Sequence, residues 1–393
     1  MPATPPFLPF ALPDIGEQEE REVLETLRSG WLTTGPKVRR LEEEFARFLG
    51  QPQLQLLAVN SATSGLHLAL DALGVGPGDE VITTTHTFTA TAEVIRYLGA
   101  QPVLVDIEPD SLCIDPERVA ERITARTRAL IVVHFAGRSA DMTALLALAR
   151  RHGLYVIEDA AHALPASHAG QRIGTLDSDA TVFSFYANKT MTTGEGGMLV
   201  LRDPAHARRA RAMRLHGIDR DAFARFTSQV PAWRYDVIAP GFKYNLTDIA
   251  AAIGLAQLPR LHAMQQRRAQ IAAQYRQALA DLPLRLPPLP LPGDMHAWHL
   301  FVVQVQGMER DAFVQAMFER GIGMSVHYVP LHQMSYWRES CSLQAADFPV
   351  SQAVYERTAS LPIYSRMDDG QVQRVMDAVR QVLQSGAQPS AVA

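Results

Sequence analysis

The sequence predicts an α/β fold, with helices packed over a largely parallel sheet and a smaller α+β unit after it. Three observations predict this. Short apolar runs alternate with helical patterns from residue 80 to residue 158, the arrangement that βαβ units produce. The stretch Leu286-Pro287-Pro288-Leu289-Pro290-Leu291-Pro292-Gly293 then interrupts the chain and reads as an extended linker or crossover. Finally, 393 residues exceed what one core organises, since single cores stop growing near roughly 250–300 residues. We expect a large domain over 1–258, including an N-terminal arm, and a small C-terminal domain over 259–393.

A first helix is predicted around 17–27, and Gly35-Pro36 marks a turn after Trp31-Leu32-Thr33-Thr34. The next helix carries Val38, Leu41, Phe45 and Leu49 on one face. The alternation then gives strand 80–82, helix 90–98, strand 102–106, helix 116–123, strand 129–134, helix 142–150 and strand 155–158. Runs at 181–185 and 198–201 complete the sheet. A helical stretch from 246 to about 282 contains Pro259, which removes an N–H and kinks or splits it. After the prolines come strand 298–305, helix 310–320, strand 324–329 and helix 371–384.

A formal net charge of −4 and a pI near 6.4 give no bulk attraction for nucleic acid or anionic membranes. Cys113 and Cys341 form no CxxC pair, so neither a disulfide framework nor a zinc cluster is indicated. Residues 1–13 lack a basic leader pattern, and no apolar run approaches the roughly 20 residues of a membrane span. Cytoplasmic small-molecule chemistry is the expectation.

Open α/β sheets bind ligands beyond the carboxyl ends of their strands. Asp159, Ser184 and Lys189 all follow apolar runs. A lysine and an aspartate on neighbouring strand ends suit pyridoxal 5'-phosphate, one as Schiff-base amine and one keeping the pyridine nitrogen protonated. Ser61-Ala62-Thr63-Ser64-Gly65 at a helix start suits a phosphate, although taken alone it reads first as an ordinary N-cap. Ser184 offers another hydroxyl. Phe88 closes a strand and either lies against a flat cofactor or belongs to the core. His162 either reaches a phenolic oxygen or is structural. The His327–His332 spacing is not HExxH and has no third ligand, so no metal is expected. No G-x-G-x-x-G follows the first strand, which argues against a nicotinamide site.

Together these segments resemble one family. Gly35-Pro36-Lys37, the N-S-A-T-S-G loop, G-D-E-V-I-T, E-D-A-A-H-A, F-S-F-x-x-x-K, G-E-G-G-M and Lys243-Tyr244-Asn245-Leu246-Thr247-Asp248-Ile249 are similar, in this order, to motifs of the DegT/DnrJ/EryC1/StrS sugar aminotransferases. The resemblance implies a fold-type I (aspartate aminotransferase-like) homodimer with active sites at the subunit interface. It implies that Lys189 bonds the cofactor and Asp159 faces the pyridine nitrogen. His162 would sit near the ring hydroxyl and Phe88 would stack. Thr63, Ser64 and Ser184 would hold the phosphate, joined by Asn245 of the partner subunit. Thr33 through Lys37 would border the sugar, with His327, Tyr328 and His332 near the sugar or diphosphate; Lys37 and Lys243 either approach phosphate or stay solvated.

Some segments, such as His296-Ala297-Trp298-His299-Leu300, resemble UDP-4-amino-4-deoxy-L-arabinose aminotransferases, whereas Asn188-Lys189-Thr190-Met191-Thr192-Thr193-Gly194-Glu195-Gly196-Gly197 and His327-Tyr328-Val329-Pro330-Leu331-His332 resemble perosamine-type synthases. The expected reaction moves an amino group from L-glutamate to C4 of a nucleotide-linked keto sugar used in lipopolysaccharide, O-antigen or a related glycan. Sugar dehydratases and deoxygenases of this fold replace the lysine with histidine or add an iron–sulfur cluster; Lys189 stands here and two cysteines are too few. A regulatory relative would be expected to lose the lysine, the aspartate or the phosphate loop, and all three are present.

Overall fold

The computed structural model describes residues 6–219 and 235–386. Helices α1 (Glu17–Ser29) and α2 (Pro36–Leu49) precede β1 (Gln55–Val59), α3 (Ala62–Ala72), β2 (Glu80–Thr84), α4 (Ala90–Tyr97), β3 (Gln101–Val105), α5 (Pro116–Arg122), β4 (Thr127–Val133), α6 (Met142–His152) and β5 (Tyr155–Asp159). The hairpin β6 (Ser167–His168) and β7 (Gln171–Arg172) leads to β8 (Ala180–Ser184), β9 (Gly197–Leu201) and α7 (Pro204–Met213). Then come α8 (Asp248–Gln257), α9 (Leu261–Ala278), β10 (Leu284–Arg285), β11 (Phe301–Val305) and α10 (Arg310–Glu319). The chain closes with α11 (Ser335–Ser340), α12 (Pro349–Tyr355), β12 (Thr358–Leu361) and α13 (Asp369–Gly386).

The main sheet runs β1-β9-β8-β5-β4-β2-β3. It is mixed, because β9 is antiparallel to both β1 and β8, while β8, β5, β4, β2 and β3 are parallel. Every residue of β2, β8 and β9 is buried; helices cover both faces, so these strands read as continuous rather than alternating apolar runs. On one face α2 packs Phe45 against Phe183 and Phe185, with ring centroids 5.4 and 5.8 Å apart. Burying such a ring stabilises by roughly 1.5–3 kcal/mol. The parallel strands β2, β4, β5 and β8 all end on the same edge, in Thr84, Val133, Asp159 and Ser184.

A second core gathers Leu8, Ile271, Tyr275, Phe301, Val303, Phe313 and Val375 around the antiparallel order β10-β11-β12. Helix α9 joins the two cores. Leu261 and Met264 pack into the first, and Ile271, Ala272 and Tyr275 into the second.

The helical stretch over 246–282 divides at a 3₁₀ turn, Leu258–Arg260, as expected at Pro259, which cannot donate to the helical ladder. Two other expectations change. The strand over 324–329 does not form; Ser325 alone bridges Ser360, and the following residues turn to the ligand cavity. Residues 298–300 likewise leave β11 to pair with the 135–137 turn, through Leu300 N–H to Ala136 O at 3.2 Å. Strands β1 and β12 were not anticipated.

Candidate active site

Strand alternation sends successive side chains to opposite faces, and this separates the two carboxylates that end β5. Glu158 is fully buried in the protein interior. It accepts from His134 Nε2 at 2.9 Å, from Thr181 Oγ1 at 2.7 Å and from Ser178 Oγ. Burial alone would raise its pKa, yet these donors together hold it below the usual carboxylate range. Asp159 points into a cavity of about 440 Å³. Its carboxylate accepts only Thr91 Oγ1 at 2.8 Å and the Ala161 N–H at 3.2 Å. Burial raises its pKa, and these two donors and Lys189 offset that in part, leaving a carboxylate that a cation would satisfy.

Lys189 follows β8 on a turn closed by its N–H to Tyr186 O at 2.9 Å. It lines the same cavity. Desolvation of its amine lowers the pKa to about 8, against the pull of Asp159. At that value roughly a tenth to a fifth of the amine is neutral near physiological pH, far more than for an ordinary lysine.

At another end of the cavity Ser61, Ala62 and Thr63 open α3. Ser61 caps the helix by accepting the Ser64 N–H at 3.1 Å, and the first N–H groups of the helix have no intrahelical acceptor. Ser64 itself donates to Asn60 Oδ1 at 2.5 Å and meets Ser61 Oγ at 2.8 Å; it is buried and stays off the cavity wall. Ser184 does line the cavity. Gly197 explains part of the G-E-G-G stretch: a Cβ there would stand 2.7 Å from Phe183 O and 3.0 Å from Ala62 N.

The remaining wall comes from loops. His162 Nδ1 accepts the Ala136 N–H at 3.2 Å, so in the neutral ring Nε2 carries the proton and donates to Tyr328 Oη at 2.8 Å. The Tyr328 hydroxyl hydrogen is then free for the cavity. Burial, then Lys189, hold His162 well below its ordinary pKa. Phe88 borders the cavity with 57% of its surface exposed, its ring centroid 6.0 Å from that of Tyr328. His327 borders it too, with Nδ1 2.9 Å from Ser360 Oγ.

Besides Ser64, four expected residues lie elsewhere. His332 is 2% exposed and engaged on both nitrogens, by Thr85 Oγ1 and by Gln352 Oε1, each at 3.0 Å; it pins a loop rather than facing the cavity. Lys37 Nζ pairs with Glu22 at 2.5 Å. Its loop is held by Asp248, which accepts the Gly35, Lys37 and Val38 N–H groups at 2.8, 3.1 and 3.0 Å. Asn245 Nδ2 donates to Thr34 Oγ1 at 2.7 Å. Thr33, Lys37 and Asn245 do not line the Lys189 cavity of their own chain; the expectation for Asn245 concerns a second subunit. Conversely, Thr91 and His299 reach Asp159 and Lys189 without having been singled out. Thr91 had a weak signal, one turn beyond Thr87 at the start of a predicted helix; His299 had none of a local kind.

The arrangement fits pyridoxal phosphate. The cavity has the size of a cofactor site, with helix N–H groups at one end, a carboxylate short of donors and an amine of lowered pKa. Asn188 Oδ1, on the same wall, is buried without a partner. Among the described residues no His/Cys/Asp/Glu group could hold a metal, and no helix is long and apolar enough to cross a membrane.

Residues 13–380 match the model of the DegT/DnrJ/EryC1/StrS aminotransferase family. The spore coat polysaccharide biosynthesis protein SpsC of Bacillus subtilis (strain 168) is 46% identical over 382 residues, covering 96% of this chain and 97% of that protein. The putative sugar aminotransferase Spr1654 from Streptococcus pneumoniae, in its PMP form, superposes with a TM-score of 0.91 at 33% identity, covering 96% of this chain and 100% of that one; it is also solved in a PLP form. PseC of Helicobacter pylori, an aminotransferase involved in pseudoaminic acid biosynthesis, gives 0.88 at 27% identity, over 96% and 100% of the chains. The chain therefore belongs to the DegT/DnrJ/EryC1/StrS aminotransferase family, the pyridoxal phosphate-dependent sugar aminotransferases of fold type I.

Proposed function

We propose that this enzyme transfers the amino group of L-glutamate to C4 of a nucleotide-linked 4-keto sugar, a UDP-4-keto-pentose or a 4-keto-6-deoxyhexose. The product is an amino sugar for lipopolysaccharide, O-antigen or a related surface glycan, made in the cytoplasm by a homodimer with shared sites. The observation that carries the reading is the pairing of the Lys189 amine and the Asp159 carboxylate in one cavity with the start of α3. The glycan assignment draws support from the spore coat polysaccharide relative.

When bound, pyridoxal phosphate supplies an electron sink and carries the amino group between donor and acceptor. The residues do the rest. The Ala62 and Thr63 N–H groups with the Thr63 and Ser184 hydroxyls receive the phosphate. Asp159 holds a proton on the pyridine nitrogen, which a nearby anion sustains inside a protein. Lys189 Nζ takes the proton from the α-carbon of the amino donor. In the second half it returns a proton to the sugar carbon that gains nitrogen. Phe88 and Tyr328 shield that exchange from water, and the His162–Tyr328 hydrogen bond aims a hydroxyl into the cavity.

A mass-spectrometric assay of glutamate against UDP-, dTDP- and GDP-linked keto sugars tests this. Nitrogen at C4 of one of them is the expected product. Nitrogen at C3 with none at C4 would overturn the regiochemistry, and no transfer from glutamate to any of them would overturn the donor or acceptor.

A further inference from the structure

His299 has no part in the chemistry assigned so far, although its Nε2 lies 3.5 Å from Lys189 Nζ. It sits in the segment 296–300, between β10 and β11. That segment is tied to the large sheet by the Ala297 N–H to Gly137 O at 2.8 Å and the Leu300 N–H to Ala136 O at 3.2 Å. From α9, Arg268 Nη1 donates to Trp298 O at 3.2 Å, His299 O at 3.4 Å and Ile363 O at 2.8 Å, while Gln265 donates to His296 O. The His299 ring packs on His162, centroids 4.4 Å apart. Only 3% of the residue is exposed, and its Nδ1 has no partner. So much backbone fixation around one histidine places its ring rather than merely filling space.

The electrostatics decide which role the ring takes. After burial, the charges of Lys189, His162, Arg268 and His327 act most strongly on it, and all of them disfavour a charged ring; Asp159 acts on Lys189. A second positive charge here, with an unpartnered Nδ1, is disfavoured. The ring is a neutral acceptor, not a proton store.

We infer that His299 is a positioning residue for Lys189: protonated on Nδ1, it accepts a hydrogen bond from Nζ on Nε2 whenever the amine is free, and so directs that amine into the cavity. This rests on Lys189 being the reacting amine, and is independent of which sugar is aminated. Because the acceptor bond favours the ammonium form, it also sets how readily Lys189 loses its proton.

The test compares His299→Leu with His299→Gln, which keeps an acceptor, in the full-length protein. Lys189 is titrated by the pH dependence of its reductive methylation, read by peptide mass spectrometry, with and without pyridoxamine phosphate. The Leu variant is expected to shift the midpoint down by about one pH unit, with the Gln variant near wild type. In the loaded enzyme Leu lowers kcat about tenfold at nearly unchanged KM, and the isotope effect with an α-deuterated amino donor rises; Gln restores most of the rate. A midpoint equal to wild type in the Leu variant, or a Gln variant as impaired as Leu, would show that the ring only packs. If Leu does not fold, His299→Asn, too short to reach Nζ, replaces it under the same criteria. Failure of the Lys189 assignment has a separate signature: Lys189→Ala would retain turnover.

Discussion

The cavity has a sheet side and a loop side, and they are built differently. On the sheet side, Asp159, Ser184 and Lys189 stand at or just beyond the ends of parallel strands, so their places follow from the sheet itself. On the loop side, His162, Tyr328, His327 and His299 are carried by irregular segments held through tertiary hydrogen bonds. The difference teaches where chemistry and geometry are divided. The sheet side presents the amine and the carboxylate, and the loop side orients and encloses them.

Breaking the sheet side has the largest expected effect. Asp159→Asn should lower kcat by on the order of 10²–10⁴-fold with the fold intact, measured in steady-state assays alongside circular dichroism. On the loop side the weak point is Gly137, at φ +97°. A Cβ there would lie 2.9 Å from both His162 O and the Ala297 Cβ, and 3.2 Å from His299 N. Gly137→Ala should destabilise by about 2–3 kcal/mol in urea unfolding, and should lower kcat because it displaces His162 and His299 together.

His332→Ala sharpens the contrast between loop residues that face the cavity and those that do not. With both nitrogens engaged in the interior, it should cost about 1–3 kcal/mol of stability while leaving KM unchanged; a large rise in KM would return His332 to the substrate. Tyr328→Phe should have the smallest effect, about 1 kcal/mol, seen as a few-fold fall in kcat. The buried Glu158 gives a pH counterpart to Asp159. Its folded pKa is depressed, so the stability it contributes is present above the unfolded carboxylate value and is lost as pH falls through the folded one. Acid titration of wild type against Glu158→Gln measures it.

What was legible follows the same division. Apolar patterning placed six of the seven strands of the main sheet to within a few residues, and the rule that ligands sit beyond strand ends directed attention to Asp159, Ser184 and Lys189. Residues 324–329 carry a strand-like composition, yet His327 and Tyr328 border the cavity, and that competition is tertiary. His299 and His332 are both buried histidines. Only their tertiary side-chain contacts show that one reaches Lys189 while the other is fastened to Thr85 and Gln352. Ser64 and Thr63 are neighbours of similar chemistry, and the helix turn gives one to the Asn60 side chain and the other to the cavity. Strand β1 escaped notice because the helix-start loop after it dominates the local pattern.

The most direct measurement is borohydride reduction of the pyridoxal phosphate-loaded protein, followed by peptide mapping. The covalent label is expected on Lys189, absent from Lys189→Ala, and its formation rate should rise with pH through about 8 as the amine loses its proton. A label on another lysine, or no label at all, would contradict the assignment on which the rest depends.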